Sequence, residues 1–156
     1  MFRDYVPDKE GIFLPSIRVE HHPLKGYICI AIVDIPPSTL IERCPTIKFA
    51  AGILRELFEL NDGRTVFHDY NFNRPGITFK GFSYFAMGYG GIYSHSKNAN
   101  ARWALSVIPN DVERSTLDIR ATKHIKCGEE ITIRYVNPAD ESNLWFDVAE
   151  DVTEET

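Results

Sequence analysis

Thirteen residues, Gly88-Tyr89-Gly90-Gly91-Ile92-Tyr93-Ser94-His95-Ser96-Lys97-Asn98-Ala99-Asn100, constrain this chain more than any other stretch. They hold three glycines, two tyrosines, two asparagines and one histidine, a mixture that serves neither a regular helix nor a regular strand. Glycine permits positive φ or close backbone approach, while Asn, Ser and His satisfy backbone groups that a tight passage leaves without ladder partners. Composition alone leaves two readings: an ordinary hairpin loop, or a functional segment held by its own polar side chains. The choice depends on what accompanies it elsewhere in the chain.

A chain of 156 residues with 44% apolar and 12% aromatic side chains is long enough to bury a core as one domain. No apolar run reaches the roughly 20 residues of a membrane span. Met1-Phe2-Arg3-Asp4 lacks the charged-then-apolar pattern of a signal peptide. Cys29, Cys44 and Cys127 lie far apart with no CxxC pair, which argues against a disulfide framework and a cysteine-rich zinc cluster. We therefore expect an intracellular, reducing location, in cytoplasm or nucleus, and no membrane partner. Net charge is −5, and residues 147–156 carry five acids and no base, as a solvated tail would. This balance disfavours direct binding of nucleic acid, which needs clustered Lys and Arg, and suits a basic peptide better.

Residues 1–16 read as an N-terminal arm. Ser16-Ile17-Arg18-Val19-Glu20 alternates as a half-buried strand does, Pro23-Leu24-Lys25-Gly26 reads as a turn, and Tyr27–Val33 is a β-branched run fit for a strand buried on both faces. Thr39–Cys44 reads as a short strand closed by Pro45. Ala50, Ile53, Leu54, Leu57 and Phe58 recur at helical spacing, predicting one helix with a core face and a stop at Asn61-Asp62-Gly63. Val66–Phe85 is aromatic and irregular. Arg102–Ile108, Ser115–Ile125 and Glu129–Tyr135 read as further strands. The expected fold class is mainly β (α+β): small twisted sheets, long structured connections and one or two short helices.

Familiar catalytic loops are absent: there is no GxGxxG, Walker loop, GxSxG or HExxH. His21 and His22 are adjacent in a strand, so they point to opposite faces and cannot share a metal; no metal site is expected. A thiol enzyme would need Cys44 or Cys127 to approach His95 in space, and nothing local supports that.

Tyr93-Ser94-His95-Ser96-Lys97-Asn98-Ala99-Asn100, followed by Gly128-Glu129-Glu130-Ile131-Thr132-Ile133-Arg134-Tyr135, resembles the paired signature of SET-domain protein lysine methyltransferases. In that family an (F/Y)xNHSxxPN segment and a GEE(L/I)TxxY segment interlace as a pseudoknot. Pro23-Leu24-Lys25-Gly26-Tyr27 and Leu40-Ile41-Glu42-Arg43-Cys44 are similar to the family's opening turn and first hairpin. The compact length and the AMGYGGIYSHSK segment look most like the small stand-alone SET proteins of large algal (chlorella) viruses. The likeness runs over about residues 17–146, leaving the arm and the acidic tail outside. Three positions depart from the pattern: Ser94 stands for the asparagine before the histidine, Ile28 for the second glycine of the opening turn, and Ala99 for the proline.

The resemblance implies an S-adenosylmethionine-dependent lysine N-methyltransferase acting on a basic protein tail, a histone by analogy, with S-adenosylhomocysteine as product. It implies Tyr135 as the catalytic tyrosine and Tyr70 as a second tyrosine of the lysine channel. It implies cofactor contacts from the backbone of Gly26 and Tyr27, from Ser94 and His95, and from Trp145 over the adenine, a place that Leu144 or Phe146 could also take. The bland counterparts stay open: Tyr135 as a strand-end tyrosine, Tyr70 as a core aromatic, His95 as a tie within the knot. Asn100 reads as a brace. The family's product-number switch falls on an aromatic choice near Ile133 and Trp103, and a homodimer is an open expectation. Ser94 and Ile28 motivate an alternative: a catalytically impaired module that binds cofactor or a basic peptide without turnover.

Overall fold

Apolar side chains in β-branched runs build the architecture, and prolines and glycines punctuate it. The structure is a computed structural model and describes residues 6–7, 13–14, 16–50, 53, 56, 71–72, 82–108 and 111–135. In chain order the strands are β1 (Val6–Pro7), β2 (Phe13–Leu14), β3 (Ile17–His22), β4 (Gly26–Ala31), β5 (Leu40–Ala50), β6 (Asn71–Phe72), β7 (Phe82–Ala86), β8 (Ser94–His95), β9 (Ala101–Ile108), β10 (Asp111–Ala121) and β11 (Thr132–Ile133). Pairs β1–β2, β3–β4 and β8–β11 form two-stranded sheets, and a five-stranded sheet has the order β6-β7-β5-β10-β9. The mainly β expectation holds. Among the described residues only Ile53 and Glu56 are helical, and no helix is long and apolar enough to cross a membrane.

The chain divides into two compact units. The first comprises Met1–Glu42, Ile92–Ala104 and Asp118–Thr156. Its core is the apolar run of β4, where Ile28, Cys29, Ile30 and Ala31 are buried. The expected run Tyr27–Val33 is corrected at both ends, because the strand stops at Ala31 and Tyr27, Ile32 and Val33 are exposed. One side of β4 pairs with β3 from Ile17↔Ala31 to His22↔Gly26. The other side takes the segment 128–131, through Ile131 N–H to Cys29 O (2.8 Å) and Gly128 N–H to Ala31 O (2.8 Å). Ile35 and Ile125 close the same core by bonding each other's backbone in both directions. Glu129–Tyr135 is therefore not one continuous strand. It bonds β4 over its first half and leaves it to pair with β8, so that only Thr132–Ile133 counts as strand there.

The second unit comprises Arg43–Gly91 and Leu105–Leu117. Here the expectation that Pro45 closes a strand is corrected: β5 runs on to Ala50. Pairing of β5 with β7 begins at Thr46↔Ala86, so the N–H that Pro45 lacks is not called on, and its carbonyl still accepts from Met87 N–H (2.8 Å). Part of the stretch expected to be irregular is ordered strand, β6 and β7, with Phe85 stacked on Phe49 at 4.5 Å. Ala50 ends a strand and does not open a helix, and Ile53 is 48% exposed, so neither belongs to the predicted core face. Leu54, Leu57 and Phe58, the stop at 61–63, the Leu144–Phe146 cluster and the acidic tail lie outside the described residues. Gly90 is wedged where no other residue fits. A Cβ there would overlap Ala86 Cβ and stand 3.0 Å from Cys44 Sγ.

Candidate active site

Two distant segments of the first unit lie side by side. β8 and β11 run parallel, with Thr132 opposite Ser94 and Ile133 opposite His95, and Ser96 N–H extends the pairing to Ile133 O (3.0 Å). Two-residue strands cannot hold themselves together, and side chains supply what the short ladder lacks. The Asn100 amide donates to Glu130 O (2.8 Å) and accepts from Thr132 N–H (2.9 Å). That is the reach of a primary amide, one donor and one acceptor on a planar group. Asn100 is the brace that the sequence suggested.

Tyr135 sits where these segments meet. Its N–H donates to His95 Nδ1 (2.9 Å), its hydroxyl donates to the Tyr93 carbonyl (2.6 Å), and its ring lies 5.3 Å from the imidazole. An Nδ1 that accepts is unprotonated, so the ring nitrogen facing Tyr135 is not free to activate a thiol. A phenol that gives its proton to a carbonyl acts toward any third group only as an acceptor. Trp103 Nε1–H bonds the Arg134 carbonyl (3.0 Å), and the Arg134 guanidinium bonds Lys97 O. Tyr93, fully buried, donates its own hydroxyl to Glu42 Oε2 (2.7 Å).

The opening turn is the third part. Gly26 adopts φ +79°, a conformation in which a side chain is strained, and the place a Cβ would take is open for 4 Å. His22 Nδ1 accepts from both Leu24 N–H and Lys25 N–H (3.2 Å each), while His21 meets Tyr27 edge-on at 5.6 Å. The two histidines thus do separate structural jobs, and no metal-holding cluster occurs among the described residues. Lys25 Nζ reaches Glu130 Oε2 (2.7 Å), tying the turn to the segment that runs on to Tyr135.

The SET-domain family model matches residues 26–136. The chain is a SET-domain protein. It is 28% identical over 123 residues to a Schizosaccharomyces pombe histone-lysine N-methyltransferase specific for H3 lysine 37, covering 79% of this chain and 71% of that protein. The fold is shared with a Plasmodium falciparum candidate histone methyltransferase (TM-score 0.60, 24% identity, 80% of this chain and 96% of that one). It is shared too with the Chaetomium thermophilum polycomb repressive complex 2, including an autoinhibited form bound to S-adenosylmethionine (TM-score 0.60, 18% identity, 81% of this chain but 16% of that one).

Within the SET frame the structure brings Ser94, His95 and Tyr135 together and puts Gly26 and Tyr27 side by side at the start of β4, where the opening turn ends. Tyr70 and Trp145 lie outside the described residues. Ile28, which stands for a turn glycine, is a buried core residue of β4 and leaves the turn itself to Gly26. Ser94 is half-buried and paired through its backbone. The open space at the Cβ position of Gly26 lets a ligand approach the backbone, and the Tyr135 hydroxyl, already donating to Tyr93 O, meets a cation as an acceptor, so these residues fit the cationic sulfonium of S-adenosylmethionine. Cys29, which sequence reasoning does not single out as a nucleophile, is held as a thiol. Burial, then Glu42 and Glu130, push its thiol up to about 12, so it stays protonated at neutral pH. Sequence reasoning missed Tyr93, Glu42, Lys25 and Glu130. Lys25 and Glu130 both lay inside quoted motifs, but only the fold shows that they meet.

Proposed function

We propose that this SET domain is a protein lysine N-methyltransferase that uses S-adenosylmethionine and acts on a basic protein tail, a histone by analogy with the S. pombe relative. The observation that carries this reading is Tyr135: its hydroxyl is anchored on the Tyr93 carbonyl beside His95, with its oxygen able to face a reacting group only as an acceptor. S-adenosylmethionine supplies a methyl group on a positively charged sulfur, activated for transfer to an amine. The chain's part is alignment, desolvation and electrostatics.

Gly26 and Tyr27, at the start of β4 just after the opening turn, offer backbone groups and, at Gly26, room; Ser94 and His95 are assigned backbone contacts along the knot. Trp145 is assigned to the adenine and Tyr70 to the lysine channel. A lysine ammonium is not nucleophilic, and a narrow aromatic surround lowers its pKa by disfavouring the charged form. Tyr135 Oη then orients the neutral amine by accepting from its N–H, and it stabilises positive charge passing close by. The net charge of −5, all of it carried by residues 147–156, favours approach of a basic tail. We place the reaction inside the cell, in cytoplasm or nucleus.

Ser94 favours a second reading, in which cofactor binds without turnover, because a hydroxyl cannot span the two directions of an amide. Incubation with methyl-labelled S-adenosylmethionine and a mixed histone substrate, read by mass spectrometry, separates the two. Methyl-lysine in the product supports the enzyme. Cofactor binding with no label in any histone or basic peptide supports the module.

A further inference from the structure

We infer that Lys25 and Glu130 form a positioning pair that sets where the opening turn stands against the strand leading to Tyr135, and so sets cofactor affinity more than turnover. The inference rests on the methyltransferase reading. Both side chains are almost out of solvent, 8% and 7% exposed, and their charged ends are 2.7 Å apart. The turn around them is not buried: Leu24 is 84% exposed and Tyr27 65%. Gly26 takes a left-handed backbone there, and the His22 cap is local to the hairpin. Among the described residues the Lys25–Glu130 bond is the turn's side-chain tie to a remote part of the chain.

The other end of the tie is firmly set. The Glu130 carbonyl is held by Asn100, its neighbours Glu129 and Ile131 bond Ala31 and Cys29, and five residues on stands Tyr135. A buried ion pair is a poor stabilising device unless every lone pair is used, and well-packed apolar residues commonly replace one without loss. Here Glu130 Oε1 is buried with no hydrogen bond among the described residues. The pair is therefore poorly built for stability and well built for fixing one distance. What that distance governs is the turn proposed to receive the cofactor, not the phenol proposed to act in transfer.

The test uses the full chain, S-adenosylmethionine and a histone substrate. In the double variant Lys25→Met/Glu130→Met the buried charges go together, so melting should stay within about 5 °C of wild type. KM for S-adenosylmethionine should rise about tenfold or more while kcat stays within about threefold. Glu130→Asp keeps both charges and shortens the tether by one methylene. It should raise the cofactor KM several-fold at near-constant kcat, and it carries the test if the double variant does not fold. Wild-type KM in the folded variants, or a loss confined to kcat, overturns the inference and leaves the methyltransferase reading intact. A wild-type protein that neither binds S-adenosylmethionine nor transfers its methyl group overturns both.

Discussion

Tyr135 holds three relationships at once: a backbone bond to the His95 ring, a hydroxyl bond to the Tyr93 carbonyl, and the tilted contact of its ring with the imidazole. Removing the hydroxyl alone leaves the first and the third. Tyr135→Phe should therefore lower kcat by about 100-fold or more, the usual scale for a placed polar group in proton and charge handling. Cofactor Kd should stay within about threefold, because binding does not depend on that oxygen. Stopped-assay rates with calorimetric binding check this, and a wild-type rate would remove Tyr135 from the catalytic role. Ser94 is half-buried with its backbone engaged by Thr132, so its side chain can change without moving the strand. Ser94→Asn should tighten S-adenosylmethionine binding if the hydroxyl is a handicap. Equal or weaker binding in the same titration would show that serine suits this site.

Strands of two residues such as β8 and β11 have no stability of their own, and the elements around them do the holding. Asn100→Ala would strip one donor from the Glu130 carbonyl and one acceptor from the Thr132 N–H, both partly buried. The expected loss is roughly 2–4 kcal/mol, measured by urea unfolding, since unsatisfied buried polar groups cost more than made bonds return. In the second unit, Gly90→Ala would force a methyl into Ala86 and toward Cys44. Overpacking of this kind costs about 1–3 kcal/mol. An unchanged unfolding midpoint would mean that the end of β7 moves aside freely.

The whole molecule meets alkali through its interior. Cys29 is fully buried, and its thiol is held at about 12 against an ordinary 9.0, first by burial and then by Glu42 and Glu130. The unfolded chain ionises this thiol first as pH rises, so the stability it contributes is complete below pH 9 and is lost between 9 and about 12. The shift corresponds to about 4 kcal/mol across that window, at 1.36 kcal/mol per unit. Alkaline unfolding followed by circular dichroism should be shallower over this range in Cys29→Ala than in the native chain. In the folded protein exposed Cys127 should react with a thiol reagent at pH 8, while Cys29 does not.

The mainly β character and the family were legible because each rests on local chemistry: a β-branched run that must be buried, a turn that needs a left-handed glycine, and motif residues in fixed order. Asn100 was legible as a brace for the same reason. Other features depend on which strands become neighbours. Pro45 ends nothing because β7 starts pairing one residue later, and Glu129–Tyr135 changes partner halfway along. The helix predicted from Ala50 yields to strand at its first residue because β7 supplies Phe82 as a ladder partner. No spacing rule announces that Lys25 meets Glu130, or that Tyr93 offers its carbonyl to Tyr135 and its hydroxyl to Glu42. Periodicity and turn chemistry act within a few residues, whereas a charge or a phenol finds its partner only once the intervening chain has folded and excluded the water that would otherwise satisfy it.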